Sequence, residues 1–132
     1  MKKYVIIAAV GLIVMIAAAG MFSFRQQRMA GNIENHYRQL SNWDLQTIPD
    51  GIYSGSFKEF LVSVNLAVTV ENNRITDIEI VAQQSGPGYE ARETIERIKD
   101  AQQPKVDAVT GATVSSMAIM IAADRAIRGA VK

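Results

Sequence analysis

The sequence predicts an α+β domain, a small antiparallel sheet packed by two helices, preceded by one N-terminal transmembrane helix. Three observations predict it: an uncharged apolar run from Tyr4 to Phe24, an alternating segment from Val62 to Val70, and two helical patterns after the strands.

Tyr4 to Phe24 is 21 residues long, close to the ~20 that cross the hydrocarbon of a bilayer as a helix. Residues 1–24 therefore read as a membrane anchor. Met1-Lys2-Lys3 followed by Ala17-Ala18-Ala19 also fits a signal peptide with a small-residue cleavage site. The apolar run continues past that site through Met21, Phe22 and Phe24, which favours an uncleaved anchor. No cysteine is present to take a lipid. Flanking charge does not orient the helix, because Lys2 and Lys3 on one side oppose Arg25 and Arg28 on the other.

Residues 25–44 form a polar segment in which Met29, Ile33, Tyr37 and Leu40 recur at helical spacing. It reads as a helical linker, a spacer between membrane and domain. Trp43 at its end fits either the headgroup level or a cap on the domain core.

The domain occupies residues 45–132. Ile48-Pro49-Asp50-Gly51 marks a turn, and a first strand comes next, through Tyr53 and Phe57. From Val62 to Val70 apolar and polar residues alternate, which places the valines on one face. Asn72-Asn73 tolerates positive φ, so Ile75 to Val81 returns as the antiparallel partner, with Ile78 and Ile80 inward and Asp77 and Glu79 toward solvent. Gln83 to Gly88 breaks the pattern and reads as a loop, whose two glycines would let backbone approach a flat ring or simply turn the chain. Tyr89 to Ala101 reads as a helix with Ala91, Ile95 and Ile98 on one stripe, ended by Gln102-Gln103-Pro104. A last helix, residues 113–130, presents Met117, Met120, Ile121, Ala123, Ile127 and Ala130.

Composition narrows the chemistry. The formal net charge of +1, from 14 basic and 13 acidic side chains, becomes −1 once Lys2 and Lys3 are set apart. No basic block interleaves with aromatics, so nucleic acid is not an expected partner. The lack of cysteine excludes disulfides, iron–sulfur clusters and thiol nucleophiles, so redox chemistry would need a bound organic cofactor. His36 stands alone and makes a poor metal ligand. A hydrolase using Thr113 or Ser116 as nucleophile lacks a paired base within the domain.

One segment carries specific chemistry: Asp107-Ala108-Val109-Thr110-Gly111-Ala112-Thr113-Val114-Ser115-Ser116. Gly111 permits a sharp reversal, and Thr113 opens an apolar helix as an N-cap candidate. The helix start offers unpaired N–H groups and partial positive charge, which suit a phosphate beside the Thr113 hydroxyl. By spacing alone, the same residues also fit a plain turn with a capping threonine.

Asp107-x-x-Thr110-Gly111-Ala112-Thr113, leading into a hydroxyl-bearing apolar helix, resembles the acceptor motif of the FMN-binding domain family. The resemblance extends over residues 45 to 130, through Asp50 to Gly55, the valine-rich segment, Asn73 to Ile78 and the Gln-Gln before Pro104. It implies that a flavin transferase, with FAD as donor, esterifies the phosphate of FMN onto Thr113. Thr110, Gly111, Ala112, Val114 and Ser116 would then surround the cofactor, with Ser115 a further phosphate donor. Asp107 either caps the turn or, as the resemblance implies, helps the transferase recognise its acceptor.

The resemblance thus implies an electron-transfer flavoprotein rather than a stand-alone enzyme, with the flavin as its redox group. Such a chain would relay electrons between membrane partners, and the family favours a domain outside the cytoplasm. It resembles the flavin domains of sodium-pumping NADH:quinone reductases and related ferredoxin-linked complexes, but is much shorter than those subunits. The alternatives are an anchored partner-binding module and a non-covalent FMN binder, each with Thr113 unmodified.

Overall fold

In the computed structural model, residues 1–86 and 90–131 are described. Their elements run α1 (Lys2–Arg38), a 3-10 turn (Leu45–Thr47), β1 (Gly51–Glu59), β2 (Val62–Glu71), β3 (Arg74–Gln84), α2 (Glu93–Ala101) and α3 (Thr113–Ala130). The three strands form one antiparallel sheet in the order β1-β2-β3. This is the α+β arrangement expected, with one long apolar helix at the N-terminus.

The alternation in β2 sets the sheet. Val62, Val64, Leu66, Val68 and Val70 are all buried, and the residues between them are not. Asn72 and Asn73 take φ of 51° and 62°, the left-handed pair that a two-residue hairpin requires. In β3 the inward spacing is irregular: Ile75 pairs with Val70 but Asp77 pairs with Thr69, so Thr76 bulges and Ile78 resumes the buried face. Ile80 is only half-buried. Gln83 and Gln84, read as loop from their polarity, are the last residues of β3, because backbone pairing to Val64 and Ser63 carries the strand past its apolar stretch.

α3 lies directly across β1 and β2. Its approach is close enough that a Cβ on Gly55 would fall within 3 Å of the Ala122 carbonyl oxygen and of Ala126 N and Cβ. Ala118, Ala122 and Ala126 form the small-residue row that permits this contact. α2 packs at the β3 side against α3, burying Thr94, Ile95 and Ile98.

Two expectations about helices are corrected. α2 begins at Glu93 rather than at Tyr89: Ala91 has φ 53°, a conformation that cannot continue a helix, although its methyl is buried in line with Ile95. Tyr89 itself, with Pro87 and Gly88, lies outside the described residues. The spacer reading of the segment after the apolar run also fails. α1 continues unbroken to Arg38, and Met29, Ile33, Leu40 and Trp43 are buried in the same core as the sheet. Trp43 caps that core, and its indole N–H donates to Asp124 Oδ1 at 2.9 Å.

The side chains of residues 2–24 in α1 are all exposed. Its most apolar window has a mean hydropathy of 2.7 and no buried residue, so the helix is long and apolar enough to cross a membrane.

Candidate functional site

The segment from Asp107 to Ser116 is held by side chains of α2 and α3. Arg97, on α2, donates to the carbonyls of Asp107 and Ala108 at 2.9 and 3.0 Å. Gly111 has φ +80°, the left-handed geometry glycine accepts without strain, and a Cβ there would meet nothing within 4 Å. Ser116 closes the turn from within the helix. Its hydroxyl accepts the Val109 N–H at 3.0 Å and donates to the Ala112 carbonyl at 2.7 Å.

Thr113 is the first residue of α3, not its cap. Ala112 takes the cap position with no side-chain hydrogen bond, which leaves the Thr113 hydroxyl free of a capping role. Ser116 N–H donates to the Ala112 carbonyl as the first intrahelical donor, so the N–H groups of Thr113, Val114 and Ser115 ahead of it have no intrahelical acceptor. An exposed threonine thus sits where unpaired donors and the positive end of an 18-residue helix converge.

These atoms border a cleft of about 550 Å³, within the roughly 300–1,000 Å³ usual for small-molecule sites. Gly111 to Ser115 form one wall. The others come from Gln26 and Met29 of α1, Leu61 and Val62 where β1 turns into β2, and Gly86 after β3. The floor is mostly apolar, suited to a flat ring, and the open space at Gly111 adjoins the helix N-terminus, suited to a phosphate. The cleft thus joins apolar surface to open space at a helix start.

Residues 62–128, just over half of the chain, match the model of the FMN-binding domain. The chain belongs to the FMN-binding domain family. A comparison with curated proteins returns no match. The matched region of this FMN-binding domain spans the β2–β3 hairpin, α2, the Asp107 to Ser116 segment and nearly all of α3, while β1 and α1 add an edge strand and a cleft wall outside it.

The expected site residues separate in space. Gly111, Ala112, Thr113, Val114 and Ser115 line the cleft. Thr110 is exposed beside it. Ser116 is fully buried, with its hydroxyl committed to Val109 and Ala112, so it positions the turn and is not a ligand-facing group. The Asp107 side chain is exposed and lines a different surface cleft with Arg97 and Lys105. His36 packs edge-on against Phe57.

Reading the chain locally missed Gln26, Met29, Leu61 and Arg97. Only Met29 had a signal, its place in the apolar stripe of α1. It also missed the work of Gln102 and Gln103. The Gln102 amide accepts from Ile75 N–H at 2.7 Å and donates to its carbonyl at 2.9 Å. Gln103 accepts the Trp43 N–H at 2.8 Å. Together they pin the chain ahead of the acceptor segment to β3 on one side and to the end of the 25–44 segment on the other.

Proposed function

We propose that this FMN-binding domain is a membrane-anchored electron carrier, with FMN held as a phosphoester of Thr113 and the domain outside the cytoplasm. The observation that carries the covalent reading is Thr113 itself: exposed, uncommitted to capping, and first in a helix whose opening residues line the cleft. A flavin transferase would form the bond between Thr113 Oγ1 and the flavin-side phosphorus of FAD. The pyrophosphate bond breaks, AMP leaves, and the threonyl proton passes to the leaving side.

FMN, when bound, supplies one- and two-electron redox chemistry that no side chain here can supply. The chain's own residues hold and position it. The N–H groups of Val114 and Ser115 would receive the phosphodiester oxygens, Gly111 leaves room beside them, and Met29, Leu61 and Val62 offer apolar contact to the ring. Asp107, exposed and apart from the cleft, would meet the transferase rather than the flavin. An ester bond suits a carrier beyond the cytoplasm, where a dissociated cofactor is not readily replaced. The electron donor and acceptor are membrane redox partners, and the bilayer itself receives residues 1–24.

Co-expression with and without a flavin transferase tests this. With it, the protein should be yellow and keep its fluorescence after denaturation and gel electrophoresis. A Thr113→Val variant should fold and lose that denaturation-resistant flavin. Flavin that is retained only under native conditions, and equally in Thr113→Val, would establish the non-covalent FMN binder instead.

A further inference from the structure

The sheet has two hairpin turns of equal length and opposite chemistry. At one end Asn72-Asn73 joins β2 to β3, polar and exposed. At the other, Glu59 pairs with Val62, so Phe60-Leu61 forms the whole β1–β2 turn. Phe60 has φ 29°, a conformation that favours glycine, and both side chains remain more than a third exposed, at 37% and 38%. Turn propensity disfavours such a pair, and the core of this chain does not bury it. Something else must favour apolar residues at this tip.

α1 indicates what. The Phe60 ring packs edge-on against Phe22, with centroids 5.8 Å apart, and Phe22 belongs to the uncharged run that ends at Phe24. The Arg25 guanidinium lies over the same Phe60 ring, 5.7 Å from its centroid, where a cation one residue beyond a membrane span meets the headgroups. The turn is fastened in this position. Leu61 N–H donates to Met29 Sδ at 3.4 Å, and Asn32 reaches Glu59 Oε1 at 3.4 Å. Phe22, Met29 and Ile33 fall on one stripe of α1, so the face that docks the domain continues into the apolar span by way of Phe22.

We infer that the Phe60-Leu61 turn is a second membrane contact, seated at the boundary between phospholipid headgroups and acyl chains beside α1. Its occupant is the bilayer: a residue packed on Phe22 lies at the depth of Phe22, and Arg25 and Arg28 supply cations for anionic headgroups at that level. A single helix would leave the domain free to swing, whereas two contacts fix its tilt. The acceptor cleft shares Leu61 with this turn and Gln26 with α1, and Gln26 is only about 6 Å along the helix from Phe22. Thr113 is thereby held at the membrane-proximal end of the domain.

This inference rests on the anchored reading of α1, and one experiment separates the two. The chain has no cysteine, so single nitroxides can be placed on Leu61→Cys, Ile13→Cys and Ile52→Cys variants of the full chain. Ile52 is exposed near the other end of β1, roughly 25 Å from the turn. In vesicles of phosphatidylcholine and phosphatidylglycerol, collision with oxygen against a water-soluble nickel chelate reports depth. Trp43 emission confirms that each variant retains its fold. The expected ratio of oxygen to nickel accessibility is highest at Ile13, intermediate at Leu61 and severalfold lower at Ile52. A Leu61 ratio equal to that at Ile52, with Ile13 still buried, overturns the second contact and leaves the anchor intact. Nickel access at Ile13 overturns both.

Discussion

Ser116 accepts the Val109 N–H at 3.0 Å, and in doing so closes the loop that carries Gly111 and presents Thr113. Ser116 and Thr113 are both hydroxyl residues of one short segment, yet they differ in kind: one is fully buried, the other exposed. A Ser116→Ala variant leaves the Val109 N–H without its acceptor and should cost about 1–3 kcal/mol of stability. Thermal unfolding of the full chain in detergent, monitored by Trp43 emission, checks this. Folded Ser116→Ala protein should still accept flavin, whereas Thr113→Val should keep its stability and lose covalent flavin.

Gly111 offers a second separation. Because an added Cβ would meet nothing within 4 Å, the cost of Gly111→Ala is confined to backbone conformation. For φ +80° that is roughly 1–2 kcal/mol. The methyl would enter the open space beside the helix start, so the yield of in-gel flavin fluorescence should fall by more than the loss of folded protein accounts for. Equal losses in the two measurements would show that the space at Gly111 is not used.

Truncation addresses the segment between the apolar run and the sheet. Removing residues 1–24 deletes only exposed side chains and should leave a folded, detergent-independent domain. Removing residues 1–44 also deletes Met29, Ile33, Leu40 and Trp43 from the core. Each buried side chain of this size contributes about 1.5–3 kcal/mol, and four together rival the ~5–15 kcal/mol that holds a domain folded. Circular dichroism and a cooperative melt should survive the first cut and vanish after the second.

Much of the fold was legible along the chain, for a physical reason. Strand alternation, the Asn72-Asn73 turn, the uncharged run and the acceptor segment are patterns of neighbours, and backbone geometry converts neighbours directly into local structure. The sequence by itself determined the β2–β3 hairpin, the helix opening at Thr113 and a helix long enough for a membrane. Where it misled, a distant partner overrode a local preference. Gln83 and Gln84 look like loop but are drawn into β3 by pairing with β2, and residues 25–44 look like a polar spacer but bury one stripe in the core.

The site was only half legible. Gly111 and Thr113 were recognisable from their own segment. The cleft they border exists only because Gln26, Met29, Leu61 and Gly86 arrive from three other places in the chain. Tertiary structure also decided which hydroxyl is buried and which is exposed, since Ser116 is engaged by Val109 and Ala112 within the turn while Thr113 stays at the surface. Contacts of that range depend on how α3 lies on Gly55 and how α1 meets the Phe60-Leu61 turn. Those placements arise from close packing across the whole domain.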